Sequence, residues 1–363
     1  MDNNDYGQNY TYDRGTYYSM PRWNDFTLDD ERQAKRRFSR FFFGVFFFLL
    51  ISNVVAVAVD IGMFFIFGEE KYIDLTNQSW YALTLNVLCQ YVIAFPIFYL
   101  IINGMPKTVR AKRGMKFSEL VKLFVIAQAF MYVGNLVGTY LNLIIGSFIG
   151  KMPTNAISDL VYSSNVWILI AVAVIIGPIV EELIFRKLLM DRLGIYGDRV
   201  AIFVSAISFG IFHCNLYQFF YAMLLGLILA YMYSKTANVW YPIGLHMLLN
   251  FFGSVIPLLL AEGIAKLELL STLNTTEATN EEILALASDP AVFFASLYMI
   301  LDLVILVAGV VLFFKNRRRI FVSDRCEVCI PKEKRGSVIV GNAGVIAFLT
   351  ITGLLMIVNI LFS

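Results

Sequence analysis

Charge is what this chain lacks. Asp, Glu, Lys and Arg make up 15% of its 363 residues, against roughly 25% in soluble domains, whose surfaces need them. The shortfall excludes a soluble fold. Its 58% hydrophobic residues, 32 of them phenylalanine, would find no water-free place to go in a domain of this size. The net charge of +2 leaves no concentrated basic face, so nucleic acid is not an expected partner. Four cysteines supply no disulfide framework. Histidine occurs twice, which makes each position worth tracing.

Long apolar runs are what the chain has instead. Nine are candidates, at 41–67, 81–103, 119–149, 166–189, 200–214, 219–235, 239–260, 291–314 and 338–362. About 20 apolar residues cross a bilayer as a helix, because backbone polar groups must bond to one another where there is no water. The expected fold is therefore all-α, a polytopic transmembrane bundle of about nine spans with its N-terminus in the cytoplasm. Threaded that way, 26 of the 29 Lys and Arg residues fall inside, and only Lys71, Lys151 and Lys266 fall outside. The positive-inside rule demands this bias, and a miscounted span would scramble it.

The organisation expected is a disordered cytoplasmic tail over 1–40, N-terminal spans over 41–165 and a core over 166–260. An extracytoplasmic loop over 261–290 follows, then C-terminal spans over 291–363 with a basic inner loop at 315–337. The tail is polar and ends in Lys35-Arg36-Arg37, unlike a cleaved signal peptide. The loop 261–290 has the spacing of one or two short amphipathic helices. Gly134-x-x-x-Gly138 reads as an internal helix-packing face. Asp60 and Asp302 read as interhelical hydrogen-bonding groups. Cys326-Glu327-Val328-Cys329 lacks the second pair that a zinc site needs, and reads as chance or as a redox-sensitive loop.

Ionisable groups inside a bilayer are costly and mark function by default. Those of the core are Glu181, Glu182, Arg186, His213 and His246. Glu182 and Arg186 are four apart and share a helix face, acid before base, whereas Glu181 points about 100° away. That division makes Glu182–Arg186 an ion pair and frees Glu181 to act as a general base. The competing reading is an ordinary helix end with all three charges at the inner surface. Phe209 lies one turn before His213, and His246 one turn before Asn250. Two convergent donors at His246 and Asn250 would suit an oxyanion. The competing readings are a packed histidine and an interhelical polar clamp. At 1.5 Å per residue, Glu181 and His246 are expected roughly 10 Å from the inner surface and His213 roughly 20 Å.

Glu181-Glu182-x-x-x-Arg186, Phe209-x-x-x-His213 and His246-x-x-x-Asn250, in that order on successive helices, resemble the CPBP family of intramembrane proteases. These are the CAAX proteases and bacteriocin-processing enzymes, also called the Abi family. The stretch 220–230 and the Trp240-Tyr241-Pro242-Ile243 lead into His246 resemble the family too, so the likeness covers about 177–253. It implies an intramembrane endopeptidase, with Glu181 activating water beside His213. His246 and Asn250 match the oxyanion positions, and Glu182, Arg186 and Phe209 the supporting ones. Glutamate–histidine hydrolysis without a cofactor and a zinc metalloprotease ligated by His213 and His246 both fit the residue types. The implied partners are a peptide or membrane-anchored protein substrate and the lipid bilayer, in a multi-pass protein of a bacterial plasma membrane. The alternative is a non-catalytic scaffold on the same fold, serving bacteriocin immunity or regulation. The chain has no His-Glu-x-x-His and no Gly-x-Ser-x-Gly, so zincin and serine-elbow chemistry are not indicated.

Overall fold

A computed structural model describes residues 26–108, 110–151, 156–272, 279–320 and 326–362. Among them every regular element is helical. The principal helices are α1 (Leu28–Phe67), α2 (Ser79–Ile102), α3 (Phe117–Ile149), α4 (Val166–Tyr196), α5 (Asp198–Phe212), α6 (Leu216–Thr236), α7 (Trp240–Leu259), α8 (Pro290–Arg317) and α9 (Ala343–Phe362). Eight of the nine apolar runs have each become one helix, the run 338–362 bends at Gly341 before α9, and the chain is a multi-pass membrane protein. Large apolar side chains such as Phe65, Leu100 and Phe148 stand on the outside. That is how a helix meets lipid tails.

Two expectations need correction. Eight of these helices, not nine, are long and apolar enough to cross a membrane. α5 has 15 residues, about 22 Å of helix. Its length is limited by Gly197 at one end, held at φ 121° where a side chain would clash, and by Cys214 at φ 51° at the other. Residues 28–40 are also not tail. They extend α1 beyond its apolar stretch, because Thr27 accepts from the Asp30 amide while the Asp30 carboxylate accepts from the Thr27 amide. The rest of the expected tail, 1–25, lies outside the described residues.

The segments assigned to one face by charge do gather at one end of the bundle. Thr108 N donates to Asp191 O at 2.6 Å, and Arg113 N to Thr236 O at 2.8 Å. Arg110 pairs with Asp198 at 2.6 Å, and Lys334 with Glu31 at 2.8 Å. Glu327 N and Val328 N both donate to Ile195 O, so the loop carrying the Cys326–Cys329 disulfide docks on the turn between α4 and α5. At the other end Lys266 bridges Glu262 and Asp289. There the expected loop contains the helices Ala261–Thr272 and Asn280–Ala287.

The acids isolated in spans found partners on neighbouring helices. Tyr81 Oη donates to Asp60 at 2.6 Å, tying α2 to α1, and Tyr132 donates to Asp302, tying α3 to α8. Gly134 and Gly138 are an internal seam. A Cβ on Gly134 would lie 2.4 Å from Tyr221 Cα, and one on Gly138 2.9 Å from Tyr217 O. Gly134→Ala should therefore force α3 from α6 and cost about 1–3 kcal/mol, the usual penalty of overpacking. Thermal unfolding in detergent would show it as a lowered midpoint, and an unchanged midpoint would refute the seam.

Candidate active site

α4 is an unusual helix, and the irregularity sets out its carboxylates. Residues Ile170–Ile176 and Leu183–Leu188 are π-helical, flanking the α-helical turn Gly177–Glu182. Pro178 cannot donate to the helix ladder and would crowd the carbonyl four residues back. The wider turn ahead of it relieves both problems, with Gly177 N donating to Val172 O. Such π-turns recur at functional sites.

Glu182 and Arg186 are fully buried, with Arg186 Nε 2.9 Å from Glu182 Oε2. The contact is an ion pair, not an aligned hydrogen bond, and among the described residues Arg186 Nη1 and Nη2 have no hydrogen-bond partner. The guanidinium instead lies over the Phe209 ring, 4.5 Å from its centroid. Glu182 also serves a second group. His246 Nδ1 stands 3.0 Å from Glu182 Oε1. A carboxylate only accepts, so the proton sits on Nδ1 and Nε2 turns outward. Nε2 faces Glu181 Oε2 at 3.8 Å. Glu182 thus joins Arg186 on its own helix to His246 on α7, where the spacing had indicated the Arg186 pair alone. Glu181 keeps 18% of its side chain exposed.

His213 caps the C-terminus of α5. Its Nδ1 lies 2.8 Å from Phe209 O, one of the carbonyls a helix end leaves unbonded. That carbonyl can only accept, so Nδ1 carries the proton and Nε2 holds the free lone pair. The Phe209 ring meets both imidazoles edge-on, with centroids 4.9 Å from His213 and 5.7 Å from His246. Asn250, one turn beyond His246, donates from Nδ2 to Ala173 O at 2.8 Å, which leaves it one amide proton to offer.

The mismatch in depth expected between His213 and Glu181 does not exist. α4 continues past the end of its apolar run to Tyr196, and α5 climbs back alongside. Glu181 lies 16 residues before Gly197 and His213 lies 16 after it, so the two return to one level. Ser205 Oγ donating to Phe185 O, and the Phe185 ring against those of Phe209 and Phe212, hold the pair of helices together.

Six of the seven motif residues are joined by contacts, Asn250 is tied to α4 at Ala173, and Tyr91 on α2 comes near Glu181 unannounced. A Cβ built on Gly177 would lie 3.5 Å from the Tyr91 hydroxyl and 3.9 Å from Glu181 Oε1. No motif surrounds Tyr91, and 90 residues separate it from Glu181. Among the described residues no three His, Cys, Asp or Glu side chains are placed to hold a metal ion. An apolar recess of about 280 Å³ beside Asp60, Ile61 and Tyr72 is a separate feature.

Comparison with known proteins agrees with the motifs. Residues 163–252 match a family model described as type II CAAX prenyl endopeptidase Rce1-like. A Bacillus subtilis (strain 168) protein named "Putative membrane peptidase YdiL" is 26% identical over 216 residues, covering 57% of this chain and 86% of its own length. No solved structure gives a significant match.

Proposed function

From the match of residues 163–252 to a type II CAAX prenyl endopeptidase Rce1-like model, we propose that this membrane protein is an endopeptidase that cleaves a short or membrane-associated peptide near the cytoplasmic face. The observation that carries the reading is the divided labour of the adjacent glutamates. Glu182 is buried and committed to Arg186 and His246, while Glu181 stays partly exposed beside His246 Nε2.

Glu181 takes a proton from water as the water oxygen bonds to the peptide carbonyl carbon. His213, with its Nε2 lone pair free, assists. The remaining amide proton of Asn250 steadies the oxyanion of the tetrahedral intermediate, and His246 joins it when Nε2 also carries a proton. When the C–N bond breaks, Glu181 returns its proton to the leaving amine. No step runs through a metal. The match to the Bacillus subtilis protein supports a bacterial plasma membrane as its setting.

The test is cleavage of a membrane-peptide library by the purified protein in nanodiscs. Wild type is run beside Glu181→Ala, with and without a zinc chelator. Cleavage that needs Glu181 and survives chelation supports the reading. Loss on chelation, restored by zinc, would overturn the metal-free mechanism. A folded protein that cleaves nothing would instead favour the scaffold. Within the same assay Asn250→Ala should lower kcat about 10²–10³-fold, the usual cost of one oxyanion donor, with KM little changed. A rise in KM alone would make Asn250 a substrate-binding residue.

A further inference from the structure

One carbonyl of α4 is passed over by the helix ladder. In an α-ladder Gly177 N would bond to Ala173 O, and in a π-ladder the residue after it would. Gly177 N donates to Val172 O instead, and the next residue is Pro178, which has no N–H to give. An unbonded carbonyl is costly inside a membrane. The donor that Ala173 O finds lies on another helix. Asn250 Nδ2, 77 residues along the chain on α7, reaches it at 2.8 Å. A carbonyl only accepts, so this bond fixes which end of the carboxamide faces α4 and turns the second amide proton away from it. The Asn250 backbone is held as well, since Ser254 Oγ donates to Asn250 O at 2.6 Å.

We propose that Pro178 is a positioning residue, which holds the Asn250 carboxamide in place by withholding a backbone donor from Ala173 O. The inference rests on the peptidase reading, in which Asn250 offers its second amide proton to the oxyanion, and it adds a residue from outside the three motifs. The amide protons balance, one on Ala173 O and one for the oxyanion. Proline in a helix interior normally costs about 3 kcal/mol, and here the missing bond is replaced by a tie between α4 and α7. The same helix that carries Glu181 thereby sets the rotation of the carboxamide across from it.

Pro178→Ala supplies the missing N–H. Whether the ladder then continues as π or reverts to α, Ala173 O gains a backbone donor and Asn250 loses its anchor. Pro178 is buried, so Pro178→Val, with as many side-chain carbons as proline, separates the new donor from lost packing. The first readout is thermal unfolding in nanodiscs, independent of turnover. Asn250→Ala should lower the midpoint of the wild type, because it takes the donor from Ala173 O, and should leave the midpoint of either Pro178 variant unchanged. An equal drop in all backgrounds, or a failure of both Pro178 variants to fold, overturns the proposal. The second readout is cleavage. Both Pro178 variants should lower kcat about tenfold or more with KM little changed, since a displacement of about 1 Å can cost 10²-fold. Adding Asn250→Ala to them should cost little more. A kcat equal to wild type, or losses that multiply in full, overturns the positioning role. Coupled midpoints in a protein that cleaves nothing support the tie between Pro178 and Asn250 and overturn the peptidase reading instead.

Discussion

Glu181→Gln should lower kcat/KM about 10²–10⁴-fold, the usual contribution of a general base, or about 3–5 kcal/mol of transition-state stabilisation. Glutamine keeps the shape of the side chain and can still bond to a neighbour, but it cannot take a proton. Arg186 is already paired with Glu182, so losing the Glu181 charge breaks no fully buried ion pair. The melting midpoint should consequently hold while activity disappears. Steady-state kinetics on a peptide cleaved by wild type would check this, beside thermal unfolding of the same preparations. Retained activity would move the base elsewhere, and His213 is the group to which the structure points next.

Glu182 should respond in the opposite way. Glu182→Ala removes the carboxylate paired with the fully buried Arg186 guanidinium and releases His246 as well. Breaking a buried pair from one side typically costs about 3–5 kcal/mol, because the remaining charge stays in a low dielectric. Among the described residues Arg186 Nη1 and Nη2 have no hydrogen bond to share the charge once Glu182 is gone. Both Glu182→Ala and Arg186→Met should therefore unfold at clearly lower temperature. The double variant Glu182→Leu with Arg186→Met buries no charge and should recover most of the stability. It should stay inactive, because His246 has lost the group that fixes its tautomer. A double-mutant cycle measured by unfolding would separate the pair from its parts. Single variants as stable as wild type would show that the ion pair is not load-carrying in the fold.

The helices were legible because their cause is local. In lipid a backbone must satisfy its own hydrogen bonds within the segment, so span and apolar length coincide nearly one for one. α5 departs from the pattern because Gly197 and Cys214 limit it, and backbone conformation at two single residues leaves no trace in a hydropathy run. The three motifs were legible as well, and helical spacing separated Glu181 from Glu182. The second partner of Glu182 was not. His246 lies 64 residues further along, and nothing in either motif says how two helices are rotated about their axes.

Composition alone made this a membrane protein, the distribution of Lys and Arg grouped its loops at one end, and three short motifs named seven residues. Tertiary structure decided what those residues do to one another. It returned α5 along α4 so that His213 and Glu181 share a level, set one phenylalanine ring against both imidazoles, and brought Tyr91 to the carboxylate from a helix with no motif. Covalent neighbours and hydropathy act along the chain and can be read from it. Helix rotation, tilt and close approach depend on packing between distant segments, such as the seam of Gly134 and Gly138 against α6, and arise only when the chain is assembled.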